Sequence, residues 1–197
     1  MTTELLFALW LYALVSSITP GPNNLMLLAS GVNFGFWRTV PHILGITFGH
    51  SFMVFVVGMG VTGVLTRWPV LHVALKVGSV VYLLWLAWKI AHAAAPEMGK
   101  SAGKPMTPLQ AAAFQWVNPK AWTMAIGAIT LYAPGTDIWS VLMVTAVFGS
   151  TNLPSVSLWA ALGTALRNAL RNPRLLRVFN WGMAVLLVAT LWPVLIS

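Results

Sequence analysis

The chain has 197 residues, 58% of them apolar and only 7% charged, a balance that leaves a soluble domain almost nothing polar to show to water. Eleven Lys and Arg stand against three acids, Glu4, Glu97 and Asp137, for a net charge of +8. The bases sit singly or in short runs at the ends of apolar segments, not on a polar face between aromatics, so no nucleic-acid partner is expected. There is no cysteine, which excludes disulfides, thiol redox chemistry and thiolate metal sites.

The expected fold is an all-α integral membrane protein. A helix needs about 20 apolar residues to cross roughly 30 Å of hydrocarbon, and six such runs occur: Leu5 to Leu28, Pro41 to Leu65, Pro69 to Ala91, Leu109 to Leu131, Ile138 to Leu162 and Val178 to Ile196. The runs are too long, and alternate too little, for barrel strands. The first run lacks a basic leading region and is followed by Pro-Gly-Pro in place of a small-residue cleavage site, so it is read as a span and not a signal peptide.

Span one contains Thr19-Pro20-Gly21-Pro22-Asn23-Asn24. Two prolines remove backbone donors and the glycine loosens what remains, so the helix breaks mid-membrane. Bare backbone at that depth survives only where protein or a water-filled cavity satisfies it, which makes Thr19, Pro20, Gly21, Pro22 and Asn23 candidate substrate-binding positions. Span two carries His50 near its middle, a side chain whose unperturbed pKa lies close to neutral pH. It is the candidate for proton coupling; the alternative is a neutral imidazole donating one hydrogen bond between helices.

Between spans three and four, the segment from about residue 92 to 108 is the longest connection. Span four is broken in turn at Asn118-Pro119-Lys120. Lys120 falls about ten residues, or roughly 15 Å, past the inner end of that span, near the bilayer centre. No acid lies within any span to pair with it, so its expected counter-ion is the carboxylate of a bound amino acid, helped by half-helix N-termini at the breaks. Snorkelling to the interface is the competing account. Asn118, Pro119 and Lys120 join the candidate site, and Asn152 near Pro154 of span five is a polar counterpart that would otherwise serve as helix glue.

Pro20 and Pro119 lie 99 residues apart, and Phe48-Gly49 recurs as Phe148-Gly149 100 residues later. Two inverted three-helix repeats, about 1–95 and 105–197, are therefore expected within one transporter domain. Connections one, three and five hold Arg38, Lys89, Lys100, Lys104, Arg167, Arg171, Arg174 and Arg177, while the opposite side holds Arg67 and Lys76. Cytoplasmic loops keep Lys and Arg, so the 92–108 connection is placed in the cytoplasm and both termini in the periplasm. Trp37, Trp85 and Trp88 then fall near the inner boundary, and Trp68, Trp139 and Trp192 near the outer one.

The TPGPNN of span one, the glycine pairs Gly31/Gly35 and Gly45/Gly49, Asn118-Pro119-Lys120 and the stretch from Trp159 to Gly163 together resemble the LysE amino-acid exporters, nearest their RhtB branch, over nearly the whole chain. The resemblance implies six spans in the bacterial inner membrane and proton-driven efflux of amino acids such as homoserine, threonine, leucine or lysine. It departs at His50, where the family pattern has an acid. The expected partners are a small amino-acid-like substrate, protons and membrane lipids, with a homo-oligomer compatible with the Gly-rich faces; no cofactor is expected. His72 and His92 fall at opposite interfaces, no pair has metal-ligand spacing, and no phosphate-binding loop of the GxxxxGKS kind occurs. An enzyme acting on lipid-linked substrates would want a carboxylate or His pair near a leaflet surface, and a scaffold or passive channel has no need of a deep lysine between two breaks. Export is the function expected, with these two as the alternatives.

Overall fold

The computed structural model describes residues 2–61, 69–92, 104–133 and 137–192, and among them all regular structure is helical. Capping and proline chemistry set the ends. Helix α1 (Thr3–Ile18) starts where the Thr2 side chain accepts from the Leu5 N–H and Glu4 sits in the first turn, where an anion complements the helix dipole. It stops ahead of Pro20. Helix α2 (Pro22–Phe34) restarts with proline at its first position, where the missing N–H would have had no partner. The two lie at 53° to one another across the break.

Gly35 joins α2 directly to α3 (Phe36–Val56) with φ 81° and ψ 167°, a conformation essentially confined to glycine. Span two therefore begins five residues earlier than its expected start at Pro41. That proline is tolerated inside α3 because it lies within the first two turns, where it removes a single intrahelical bond. A π-helical turn, Val57–Val61, ends this span. Helix α4 (Pro69–Ala91) follows. A capping box of Thr107 and Gln110 opens α5 (Pro108–Phe114), a 3-10 turn spans Gln115–Val117, and α6 (Pro119–Tyr132) restarts under an Asn118 cap. The longest helix, α7 (Ile138–Leu166), is capped by Asp137, and α8 (Pro173–Ala189) by Asn172. Spans one, five and six are thus offset from expectation as well: α2 runs past Leu28, α7 past Leu162, and α8 begins before Val178. Leu65, Arg67, Trp68, Glu97, Lys100 and Ile196 lie outside the described residues.

Phe36–Gly60, Val73–Ala91 and Ile138–Leu166 are each long and apolar enough to cross a membrane, and α1 with α2 qualifies as one bent span. The chain is an all-helical, multi-pass membrane protein. Its outer surface agrees: Val70 is 77% exposed, Leu109 79% and Trp139 78%, tolerable only if the surrounding solvent is hydrocarbon.

Helix α7 is the spine, packing along α1, α2 and α3, while α3 also packs on α5 and α4 pairs with α8. Glycine makes the tightest crossings. A Cβ on Gly31 would strike the Ala160 carbonyl oxygen, and one on Gly163 the Leu28 carbonyl oxygen, so α2 and α7 touch backbone to backbone as small residues permit in membranes. Gly45 and Gly49 present the same bare face of α3 to Pro108, Ala111 and Ala112 of α5. One apolar core joins Leu9, Met53, Ala125 and Phe148, from α1, α3, α6 and α7; another joins Leu25, Leu83, Phe114 and Leu187, from α2, α4, α5 and α8.

Candidate functional site

The two breaks meet. Unwinding α1 before α2 strands the carbonyls of Ser17, Ile18, Thr19 and Pro20, and each finds a donor from elsewhere in the fold. The Asn24 amide donates to Ser17 O and Thr19 O, both at 2.8 Å. The Trp159 indole N–H donates to Ile18 O at 2.9 Å. Lys120 Nζ donates to Thr19 O at 2.6 Å, Thr19 Oγ1 at 2.9 Å and Pro20 O at 3.3 Å. Lys120, at the start of α6, therefore sits on the carbonyl end of α1, where the helix dipole favours a cation. Its stem lies against Gly21, at which an added Cβ would stand 2.6 Å from Lys120 Cδ. Glycine at position 21 makes room for the lysine side chain. Its backbone is extended (φ −178°), so no strain demands glycine there.

The second break is closed by the same means. Asn118 Oδ1 accepts from the Lys120 N–H at 3.2 Å, and the Trp122 indole donates to Trp116 O at 2.9 Å. Gln115 donates to Ala111 O at 2.8 Å and exchanges bonds of 2.8 and 3.2 Å with the Asn23 amide. Pro22 and Pro119 occupy the first positions of α2 and α6 and shape the breaks.

Between the breaks lies a cavity of about 20 Å³ lined by Ser16, Ser17, Gly21, Asn23, Asn24, His50, Asn118, Lys120, Ala121, Met124, Asn152 and Val156. That is the room of about one water molecule, so admitting an amino acid requires the helices to part. Six sequence candidates, Gly21, Asn23, His50, Asn118, Lys120 and Asn152, line it together. Thr19 and Pro20 reach it through their bonds to Lys120. The His50 ring packs against Phe148 at 5.5 Å between centroids, so the phenylalanine of the recurring Phe-Gly pair supports the histidine from behind the cavity lining. Asn152 Oδ1 accepts from Thr47 Oγ1 across a long 3.4 Å.

Ser16, Ser17, Asn24, Gln115, Met124 and Val156 were not singled out by the sequence. Asn24 belongs to the TPGPNN run, and Ser16 and Ser17 are a polar pair just ahead of the break; those signals were present. Met124 and Val156 look like any other apolar lining. His42 of α3 is buried with neither ring nitrogen hydrogen-bonded, outside this cavity. No group of three metal-ligating side chains occurs among the described residues.

Comparison with known proteins agrees with the geometry. The chain is 30% identical over 191 residues to the cysteine/O-acetylserine efflux protein of Escherichia coli (strain K12), an alignment covering 95% of this chain and 96% of the relative. The same protein from Shigella sonnei (strain Ss046) matches to the same extent, as does that of Shigella flexneri. No solved structure matches the chain. The family model for LysE type translocators matches residues 14–190, a span that includes both breaks and every residue of the cavity, and the chain belongs to that family.

Proposed function

We propose that the chain is a secondary transporter exporting small neutral amino acids from the cytoplasm, with the substrate bound between the two broken spans. The observation that carries this reading is the convergence of both breaks on Lys120 in a cavity whose other polar lining is Ser, Asn and His, with no acid. A half-buried cation facing neutral amides suits a carboxylate on a substrate whose side chain is uncharged. The relatives are named for cysteine and O-acetylserine, both small and neutral in the side chain, which supports a substrate of that class. Translocation, and not catalysis, is the activity of the family.

The finer architecture belongs to the same proposal. Six spans arise if α5 with α6 forms the fourth and α8 the sixth, related as inverted repeats; α1 packs on α7 as α5 packs on α3, and α3 and α7 face one another. Both termini are periplasmic, the inner-membrane lipid surrounds the helices, and His50 takes the coupling proton. Inside-out membrane vesicles, acid inside, test the export itself. They accumulate labelled cysteine or O-acetylserine, and collapse of the proton gradient abolishes that accumulation. Failure to accumulate any of a panel of amino acids would overturn the reading.

A further inference from the structure

Two polar side chains at the cavity are left short of hydrogen-bond partners. The Ser17 hydroxyl is unbonded, and neither ring nitrogen of His50 makes a well-formed hydrogen bond, the Ala121 backbone being the one protein group that approaches the ring as a partner, although Ser17 is 3% exposed and His50 1%. Buried polar groups are nearly always satisfied, so two orphans on one cavity wall call for something to bond them. Ser17 comes from the last turn of α1, ahead of the break, and His50 from the middle of α3; both line the space that Lys120 and Asn118 close from the α6 side. Asn152 Oδ1, from α7, is engaged only by the long Thr47 contact. Each of the three offers an acceptor: a hydroxyl lone pair, the unprotonated nitrogen of a neutral imidazole, and an amide oxygen.

The lining therefore offers both kinds of partner. Lys120 is a pure donor, and Ser17, His50 and Asn152 are uncharged acceptors. An α-amino acid carries a carboxylate and an ammonium on one carbon, the complement of that arrangement. We propose that Ser17, His50 and Asn152 form the subsite for the substrate's α-ammonium, with the carboxylate on Lys120. This assignment rests on the export reading above. It adds a consequence for coupling: an imidazole that has taken a proton cannot accept from an ammonium, so proton and substrate exclude one another at His50. Among the described residues the charged group facing His50 is Lys120 of α6; α1 brings Ser16 and Ser17, α2 Asn24, and α7 Phe148 and Asn152, none of which titrates near neutral pH.

The competing account is a structural water bridging Ser17 and His50. Full-length protein in proteoliposomes separates the two, with uptake of cysteine, kept reduced, compared against 3-mercaptolactate, the analogue with hydroxyl in place of the amine. Ser17→Ala and His50→Gln raise the half-saturating concentration of cysteine about tenfold or more, the loss of a charge-assisted hydrogen bond, and leave that of mercaptolactate within about twofold. Thermal unfolding of each purified variant verifies folding, and Ser17→Ala, which removes one oxygen, carries the test if His50→Gln does not insert. Equal weakening of both compounds, or of neither, overturns the subsite while transport by wild type stands. Wild-type protein that moves neither compound overturns the export reading and the subsite with it.

Discussion

Asn23 and Gln115, 92 residues apart in sequence, exchange two amide hydrogen bonds of 2.8 and 3.2 Å and so tie the first helix break to the second. Gln115 is fully buried; replacing it leaves the Asn23 amide without its partner, and replacing Asn23 leaves Gln115 with its bond to Ala111 O alone and an unpaired amide oxygen. Gln115→Leu and Asn23→Leu are each expected to destabilise the detergent-solubilised protein by about 1–3 kcal/mol. The double variant loses less than the two added, with a coupling of about 0.6–2 kcal/mol, as interhelical bonds in membranes give. Thermal unfolding across the four proteins measures it. Strict additivity would mean that the pair contributes nothing.

The breaks themselves were legible, because Pro20, Pro22 and Pro119 cannot sustain a helix ladder and their spacing repeats. What closes the breaks was not legible: the Trp159 indole reaching Ile18, and Gln115 reaching Asn23, are contacts across more than ninety residues that no local pattern encodes. The start of α3 was misplaced because Pro41 reads as punctuation, whereas the turn is made by Gly35 at a positive φ. Lys120 was expected to seek its partner in a substrate; in the closed structure it already holds the carbonyls of Thr19 and Pro20.

Glycines separate packing from function. A Cβ at Gly163 would strike the Leu28 carbonyl and approach Gly31 Cα at 3.1 Å, and backbone cannot yield as a side chain does. Gly163→Ala should cost about 1–3 kcal/mol, the range for overpacking. Gly78→Ala and Gly182→Ala, which meet nothing within 4 Å, should be neutral or slightly stabilising, since alanine is the better helix former. The three atoms nearest a Cβ at Gly21 all belong to the flexible Lys120 side chain, so Gly21→Leu is expected to insert and unfold near the wild-type temperature yet lose transport. Unfolding temperatures beside efflux rates distinguish the three classes.

Orientation is testable cleanly because the chain contains no cysteine. Single cysteines at Lys104 and at Trp139, the latter 78% exposed near the start of α7, are expected to react with a membrane-impermeant maleimide from opposite sides. Lys104→Cys labels only in inside-out vesicles and Trp139→Cys only in intact spheroplasts, following the bias of basic residues. The reversed pattern would place the termini in the cytoplasm.

Coupling should pass through His50, as the described cavity contains no carboxylate and imidazole is the group that titrates near neutral pH. His50→Asn is expected to retain substrate exchange across equilibrated vesicles at saturating substrate, with its half-saturating concentration raised, while losing acceleration by a pH gradient. Full gradient-driven efflux in that variant would take histidine out of the cycle.

The central claim is that Lys120 joins the two broken spans when the site is closed and binds the substrate carboxylate when it is occupied. Its three bonds to Thr19 and Pro20 must then give way to the incoming anion. Lys120→Met keeps much of the apolar stem, removes the ammonium, and spares the protein a desolvated cation; Thr19 O retains its bond from Asn24. The most direct measurement is the affinity of purified, folded Lys120→Met for an exported amino acid, set beside its affinity for the decarboxylated amine. A loss of about tenfold or more for the amino acid, equivalent to about 1.5–3 kcal/mol, with the amine bound equally weakly by both proteins, is the predicted result. Unchanged amino-acid affinity in Lys120→Met would contradict it, leaving the lysine as a cap on α1 and the carboxylate site elsewhere.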